Sequence, residues 1–228
     1  MTADVIAILR KTSLLGSVPV EDLKAIAEAS RLRAFRRGQV VFTRNDPGTA
    51  VIVVVSGRVK VTVRSADGGE LTLAVIHPGS LLGELGVVDG GPRSADAETL
   101  EECQLLLIPR DAIRDVCARV PAAAQALTNS IAATLRRLTE ITADLVFLDL
   151  PRRVAKILLS QPTSEDGIIR FRMSQEELAH QVGSTRQSVN AALRGFERRG
   201  WIQMQDRAVT VKQPAALGRF AGTDVSGS

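Results

Sequence analysis

Two neighbouring segments of the chain carry residue types suited to binding a phosphate ester: Gly83-Glu84-Leu85-Gly86 and Pro92-Arg93-Ser94-Ala95. The Arg93 guanidinium can form a fork onto two phosphate oxygens, a geometry that a lysine ammonium does not reproduce. Ser94 adds a hydroxyl donor. Glycines on both sides of a short helical turn would allow free backbone N–H groups to face the same anion. The two segments therefore predict an anion pocket.

The carboxylate of Glu84 needs a separate explanation, because a negative charge beside a phosphate is repulsive. Accepting hydrogen bonds from a ribose hydroxyl would give it one, so Arg93 and Glu84 together indicate a nucleotide rather than a simple phosphate. An alternative interpretation is an ordinary turn on the rim of a barrel, in which Arg93 forms a salt bridge with Glu84. Short glycine motifs are weak evidence by themselves, and the two interpretations stay open at this point.

The composition is typical of a soluble globular protein of one or two domains, with 228 residues, 45% of them hydrophobic and 24% charged. We expect a cytoplasmic protein with no membrane partner, because no apolar run approaches the roughly 20 residues that cross a bilayer and no signal peptide is evident. Cys103 and Cys117 are the only cysteines, and His77 and His180 the only histidines. We therefore expect no disulfide framework, iron–sulfur cluster, haem or other metal site.

The charge is distributed unevenly along the chain. Residues 151–228 contain 12 Lys and Arg against 7 Asp and Glu, a net charge of +5, whereas residues 1–150 contain 17 against 18, a net charge of −1. A basic carboxy-terminal third favours a polyanionic partner, although a solvated basic face would have the same composition.

The elements that would position the pocket are short β-rich runs. From about residue 33 the apolar pattern has a period of two, and Gly, Pro and Asn separate the runs, which predicts an antiparallel barrel or jelly roll. Its predicted strands are Val40–Phe42, Ala50–Val55, Val59–Val63, Leu71–Ile76 and Cys103–Ile108.

Helical periodicity returns after Pro109. It predicts a short helix over Arg110–Arg119 and a long one from Pro121 to about Leu148. The long helix has an apolar seam with alternating steps of four and three, which fits a parallel two-chain coiled coil as well as a single amphipathic helix on the barrel. The seam consists of Ile131, Leu135, Leu138, Thr142 and Leu145. Asp149, followed by Pro151, predicts the cap of the next helix and a domain boundary.

Two candidate capping boxes ten residues apart predict a pair of short helices. They are Ser174–Glu177 and Ser184–Gln187, and Ala179 and Gly183 between them suit a tight turn. This spacing is typical of a helix-turn-helix whose second helix, about Thr185 to Arg198, enters the major groove of DNA. A structural helical hairpin that does not bind DNA is the alternative.

The start of the second helix carries the candidate base readers. Arg186 suits guanine and Gln187 suits adenine, and Asn190 follows one turn later. The candidate phosphate contacts are Ser174, Gln175, Ser184 and Ser188. The segments Trp201–Met204 and Ala208–Val211 predict a wing hairpin that turns at Asp206–Arg207, with Trp201 in the core. Residues 220–228 are rich in Gly, Ser and Thr and predict a frayed tail.

The ordered combination of these motifs resembles the CRP/FNR family of bacterial transcription regulators over almost the whole chain. The resemblance rests on the two pocket segments together with Asp46-Pro47-Gly48, Ser56–Val59, His77-Pro78-Gly79 and the helix-turn-helix. It implies an α+β fold with an amino-terminal β-roll or jelly-roll cyclic-nucleotide-binding domain (1–119), a long dimerisation helix (120–148) and a winged helix-turn-helix domain (149–228). It also implies that cyclic nucleotide contacts fall on Gly83, Glu84, Leu85, Arg93 and Ser94.

The same resemblance implies a ligand and partners. Cyclic AMP is the first choice of effector, and cyclic GMP or constitutive activity the second. Leu138 stands where the cyclic-AMP-receptor branch has a hydroxyl residue, and only Thr139 beside it offers a hydrogen bond to the base, so the selectivity between the two nucleotides stays open. The implied partners are double-stranded DNA, a second copy of the chain through residues 121–148, and RNA polymerase. Two alternatives remain: a related regulator with another effector or none, and a cyclic-nucleotide-regulated subunit of an enzyme. No catalytic arrangement in the sequence supports the second.

Overall fold

The computed structural model describes residues 2–161, 169–171, 174–205 and 208–222. The chain divides into two compact units. Unit 1 comprises Met1–Val63 and Leu73–Leu138, and unit 2 comprises Arg64–Thr72 and Thr139–Ser228. In the described part of the chain, no helix combines the length and the apolar character needed to cross a membrane.

Unit 1 is built from two four-stranded antiparallel sheets with helices before and after them. The sheets have the strand orders β1-β8-β3-β6 and β2-β7-β4-β5, which confirms the predicted β-roll. The helices are α1 (Thr2–Arg10), α2 (Val20–Ala29), α3 (Leu85–Asp89), α4 (Arg110–Arg119) and α5 (Pro121–Phe147), of which the residues from Thr139 onward belong to unit 2. The strands are β1 (Arg31–Phe35), β2 (Val40–Phe42), β3 (Ala50–Ser56), β4 (Val59–Arg64), β5 (Glu70–Ile76), β6 (Leu81–Leu82), β7 (Asp96–Thr99) and β8 (Cys103–Pro109). The end of β4 and the start of β5 fall in the Arg64–Thr72 segment of unit 2.

The core of unit 1 follows from the apolar strands β3 and β8, which pair antiparallel from Ala50 opposite Pro109 onward. One face of this pair packs against the helices α1, α2 and α4, and the other contributes to a cluster between the two sheets. Because both faces are covered, these strands read as nearly continuous apolar runs in the sequence, which is why they could be predicted.

Three strands of unit 1 were absent from the sequence prediction. The β1 segment Arg31–Phe35 has exposed residues at four of its five positions, so it lacks an apolar signature, and pairing with β8 along all five residues holds it in the sheet. The β6 segment is only two residues long. The β7 segment Asp96–Thr99 follows the anion-pocket segment and pairs with β2 and β4.

Unit 2 contains helices around a small three-stranded sheet of order β10-β11-β9. Its helices are α6 (Leu150–Leu159), α7 (Gln175–Val182), α8 (Arg186–Arg198) and α9 (Pro214–Ala221), and its strands are β9 (Ile169–Phe171), β10 (Ile202–Gln205) and β11 (Ala208–Val211). The wing hairpin is confirmed, and its predicted turn at Asp206–Arg207 lies outside the described residues. Asp149 caps α6 as predicted, because its side chain accepts a hydrogen bond from Arg152 N.

Two local predictions in unit 2 are wrong. The second capping box does not form, because the cap of α8 is Thr185, which accepts from Ser188 N at 3.2 Å, whereas Ser184 N donates to Ala179 O at 2.9 Å and closes the end of α7. The frayed tail begins later than predicted, since Phe220 packs on Phe196 and Ala221 is buried at the end of α9. Residues 223–228 of that tail lie outside the described residues.

Candidate ligand site and candidate DNA-binding surface

The guanidinium of Arg93 is buried in unit 1 and held from three sides. Its Nη1 donates to Gly83 O at 3.1 Å and its Nη2 to Ala50 O at 2.6 Å. The same group lies 4.3 Å from the ring centroid of Phe42, within the range of a cation–π interaction. Arg93 is therefore bound to backbone carbonyls rather than to Glu84, which rules out the salt-bridge interpretation of the two pocket segments.

The loop at Asp46-Pro47-Gly48 fixes the backbone that carries Arg93. Asn45 N donates to Arg93 O at 2.9 Å, and Arg93 N donates to Asp46 O at 2.8 Å. Pro47 and Pro92 form an isolated antiparallel bridge in the same place. The carboxylate of Asp46 accepts from Thr43 N at 2.8 Å, and this hydrogen bond holds the pKa of Asp46 below its ordinary value. This loop belongs to the pocket because it sets the position of the arginine.

Two glycines are required by close approach. Gly83 has a φ of +82°, and a Cβ at this position would overlap Nη1 of Arg93. A Cβ on Gly48 would lie 2.5 Å from Gly91 O, so the loop could not approach the second pocket segment. Glycine at these positions is explained by packing against Arg93 and its loop.

Glu84 lies at the start of α3 and also contacts α5. Thr134 Oγ1 donates to Glu84 Oε1 at 3.5 Å, a long hydrogen bond that still leaves carboxylate lone pairs available. Neither Thr134 nor Phe42 was singled out in the sequence. Thr134 lies one residue before Leu135 of the predicted seam. Only a helical wheel that identified which face of the helix packs toward the barrel would have selected it.

Arg93, Glu84 and Thr134 line one cavity of about 560 Å³ in unit 1. This volume is in the range of small-ligand pockets, roughly 300–1,000 Å³. The predicted ligand residues Gly83, Glu84, Leu85, Arg93 and Ser94 all line it. The α5 helix adds Thr134, Arg137 and Leu138 to its wall, among others. Thr139 is not among the lining residues, and it is exposed in unit 2.

The electrostatics of the cavity suit an anion. Burial lowers the pKa of Arg93, while the carboxylates of Asp46 and Glu84 act in the opposite direction. The Nε of Arg93 is enclosed and has no hydrogen-bond partner among the described residues. A buried arginine at the wall of a cavity fits a cyclic phosphate, which would pair with the guanidinium charge, although the enclosed Nε is reached only if the side chain shifts.

Helices α7 and α8 of unit 2 form the predicted helix-turn-helix. A capping box starts α7, in which Ser174 Oγ accepts from Glu177 N and Glu177 Oε2 accepts from Ser174 N. Gly183 ends α7 with a φ of +62°. Ala179 and Val189 are buried at the contact between the helices. The helices therefore pack as the sequence predicted.

The candidate base readers occupy different environments. Arg186 and Gln187 lie exposed in the first turn of α8, as a reader of base edges requires. Asn190 is half-buried, and its Nδ2 donates to Gln175 Oε1 at 2.8 Å, so these two predicted DNA contacts bind each other and join α7 to α8. Ser188 is exposed and its hydroxyl lies 2.9 Å from Thr185 Oγ1, whereas Ser184 is half-buried.

Comparisons with known families assign both units. Residues 32–120 match the model of the cyclic nucleotide-binding domain, and residues 152–220 match that of the Crp-like helix-turn-helix domain. The first match contains the cavity segments, and the second contains the helix pair.

Individual relatives cover nearly the full chain. The chain is 36% identical over 220 residues to a CRP-like cAMP-activated global transcriptional regulator of Mycobacterium tuberculosis, covering 94% of this chain and 98% of that protein. It is 31% identical to a cyclic AMP receptor protein of Thermus thermophilus, covering 90% and 94%. A solved structure of a CRP family transcriptional regulator, also from Thermus thermophilus, matches 86% of this chain and 100% of its own, with 26% identity and a TM-score of 0.70. The chain therefore belongs to the CRP/FNR family of transcription regulators.

Proposed function

We propose that this protein is a homodimeric transcription regulator that binds cyclic AMP in the cavity of unit 1 and DNA through α8. The observation that carries the proposal is the guanidinium charge of Arg93, buried at the wall of a cavity of nucleotide size that Glu84 also lines. The names of the two curated relatives, which describe cyclic AMP as activator or ligand, support the choice of this nucleotide.

Each pocket residue has a distinct role in the proposal. Arg93 pairs with the phosphate, and Ser94 adds a hydroxyl donor from the exposed end of the same segment. Glu84 accepts from a ribose hydroxyl, using the carboxylate capacity that Thr134 leaves open. Gly83 and Leu85 shape the wall around these groups. Thr139 does not line this cavity, so its predicted hydrogen bond to the base would form outside the cavity.

DNA recognition is assigned to the exposed start of α8. Arg186 and Gln187 read base edges, and Ser174, Ser184 and Ser188 contact phosphates. Gln175 and Asn190 hold the two helices together and contact DNA only as a pair or after separating. The net charge of +5 over residues 151–228 supports a polyanionic partner.

The long helix α5 is the proposed site of dimerisation, over residues 121–148. The exposed side chains of Val146 and Phe147 near its end, at 68% and 79% exposure, support an apolar partner surface. We further propose that the protein acts in the cytoplasm and contacts RNA polymerase, as the family resemblance implies. The ligand would act by binding one arrangement of the dimer more tightly than another.

Calorimetric titration with cyclic AMP, with cyclic GMP in parallel, tests the ligand assignment. We expect saturable binding near one nucleotide per chain, and loss of at least about a hundredfold in affinity for Arg93→Ala, because the cation that pairs with the phosphate is removed. Arg58→Ala is the matched control, since Arg58 pairs with Glu101 and does not line the cavity. No binding of either nucleotide to the wild type would contradict the assignment.

Duplex binding measured with and without the nucleotide separates the remaining alternatives. Sequence-specific binding that strengthens with cyclic AMP supports the proposal. Specific binding that is unchanged at every nucleotide concentration, and unchanged by Arg93→Ala, would favour a regulator with another effector or none. Absence of any specific duplex binding would favour a subunit that regulates an enzyme.

A further inference from the structure

The part of α5 that lines the cavity ends with one helical turn, residues 134–138. This turn places two polar side chains at the cavity, Thr134 and Arg137. The hydroxyl of Thr134 already donates to Glu84. Leu138, in the same turn, also lines the cavity but has no side-chain donor. Arg137 is therefore the group in this turn with donors to offer a ligand.

Arg137 is half-buried, and the cavity residues do not satisfy it. Its Nε is enclosed without a hydrogen-bond partner, and no carboxylate in the described part of the chain forms an ion pair with it. Arg93, by contrast, has two carbonyl partners and an aromatic face. The Nη nitrogens of Arg137 also form no hydrogen bond with the described residues and, unlike Nε, are not enclosed, so they are the donors that a ligand in the cavity can reach.

The part of the ligand that contacts Arg137 can be inferred from the parts that other residues already bind. This step rests on the proposed function, in which Arg93 pairs with the phosphate and Glu84 with the ribose. Much of the remaining wall is apolar, with Val61, Leu73 and Val75 among its residues, and suits the flat faces of a base. The polar edge of the base still needs a partner, and Arg137 is the arginine of the described lining that the phosphate does not already take.

We propose that Arg137 is a specificity-determining residue that donates to the N7 edge of a purine. An arginine fork matches guanine, which presents acceptors at both N7 and O6. Adenine presents one acceptor at N7 and a donor at N6, so it offers the fork only one bond and turns an amino group toward a cation. Arg137 therefore favours cyclic GMP relative to cyclic AMP, and raises the affinity for both through N7.

Titrations of the full chain with cyclic AMP, cyclic GMP and 7-deaza cyclic GMP test this assignment in the wild type and in Arg137→Leu. We expect Arg137→Leu to raise the Kd for cyclic GMP by about tenfold or more, and that for cyclic AMP by clearly less. The 7-deaza analogue, which lacks the N7 acceptor, binds the wild type about tenfold more weakly than cyclic GMP. That difference disappears in Arg137→Leu, because the donor is gone.

Two further variants exclude trivial causes. Arg136→Leu removes the same charge from an exposed neighbour outside the cavity, and should leave all three Kd values unchanged. Arg137→Lys keeps the charge without the fork, and should still lose part of the preference for cyclic GMP. Far-ultraviolet circular dichroism and thermal melting verify that each variant is folded.

Several results would overturn the proposal. An equal loss for all three nucleotides in Arg137→Leu would assign Arg137 to the phosphate or to the shape of the wall, and no loss would exclude contact. A 7-deaza penalty that persists in the variant would place another group at N7. If the wild type binds neither natural nucleotide, the proposed function itself fails, and this result is visible before any variant is compared.

Discussion

Arg93 is held by the protein before any anion reaches it. Two of its nitrogens bind backbone carbonyls, and its plane lies over Phe42, so the side chain loses little further freedom when a ligand binds. A phosphate that approaches the Nη atoms must share them with Gly83 O and Ala50 O or displace these contacts.

Gly83→Ala tests how closely the backbone must approach this arginine. We expect nucleotide affinity to fall by more than about tenfold, because the new Cβ would displace the guanidinium, in addition to a cost of about 1 kcal/mol for the positive φ. Gly38→Ala is the matched control, since Gly38 has a φ of +73° and open space around the Cβ position. Calorimetry and thermal unfolding should show lost affinity only for Gly83→Ala. Equal affinities in both variants would contradict the steric argument.

The pH dependence of the Asp46 loop follows from the direction of its pKa shift. The hydrogen bond from Thr43 N lowers the pKa of Asp46 in the folded protein from its ordinary value of 3.8. The ionised carboxylate therefore stabilises the folded state above that ordinary pKa, and this contribution is lost as the pH falls through the lowered value.

Asp46→Asn keeps an acceptor for Thr43 N but does not titrate. We expect the difference in urea midpoint between wild type and Asp46→Asn to shrink as the pH is lowered from about 6 to about 3. A difference that stays constant across this range would show that Asp46 titrates alike in the folded and unfolded chains.

At the scale of elements, the end of α7 and the start of α8 use adjacent residues, Ser184 and Thr185. Ser184 closes α7 through its backbone N–H, so Thr185 becomes the cap of α8. Thr185→Ala should therefore lower the free energy of unfolding by about 1 kcal/mol, within the usual range for a lost cap. Ser184→Ala, which keeps its backbone bond, should cost less. Chemical denaturation that ranks the two variants in the opposite order would contradict this assignment of the cap.

The same elements show what the sequence could and could not predict. Strands β3 and β8 and the helix pair α7 and α8 were predictable because burial on fixed faces imposes a period on their residues. Strand β1 was not, because four of its five residues are exposed and only pairing with β8 defines it. The α9 helix was not predicted, because its short apolar pattern lies next to a tail rich in small polar residues.

The candidate site was predictable to a similar degree. The two segments predicted to bind an anion carry a local signal, and their residues line the cavity. Phe42, Thr134 and Arg137 come from other elements and reach the cavity only through the tertiary fold. No spacing in the sequence links them to Arg93, so they required the structure.

For the whole molecule, the separation of charge predicts how DNA binding responds to salt. Residues 151–228 carry a net +5 and the rest of the chain a net −1, so we expect the phosphate contacts to come from residues 151–228. The logarithm of the association constant should fall linearly with the logarithm of salt concentration, with a slope of about −0.9 for each phosphate neutralised. Filter binding or fluorescence anisotropy over a salt series measures this slope.

Substitution of one exposed arginine on α8 calibrates the slope. Arg194→Ala should reduce its magnitude by about 1 if this side chain neutralises a phosphate. Arg114→Ala, on the exposed side of α4 in unit 1, should leave it unchanged. A slope near zero for the wild type would contradict an electrostatic role for the basic region.

The packing of Trp201 makes unit 2 its own optical reporter. The chain has one tryptophan and no tyrosine, and this tryptophan lies against Phe196, with the guanidinium of Arg199 5.0 Å from its ring centroid. Emission excited at the red edge of tryptophan absorption therefore comes from the DNA-binding unit alone, while far-ultraviolet circular dichroism reports on the helices of both units. Unfolding followed by the two signals together would reveal whether the nucleotide-binding and DNA-binding units lose their structure at one denaturant concentration or at two.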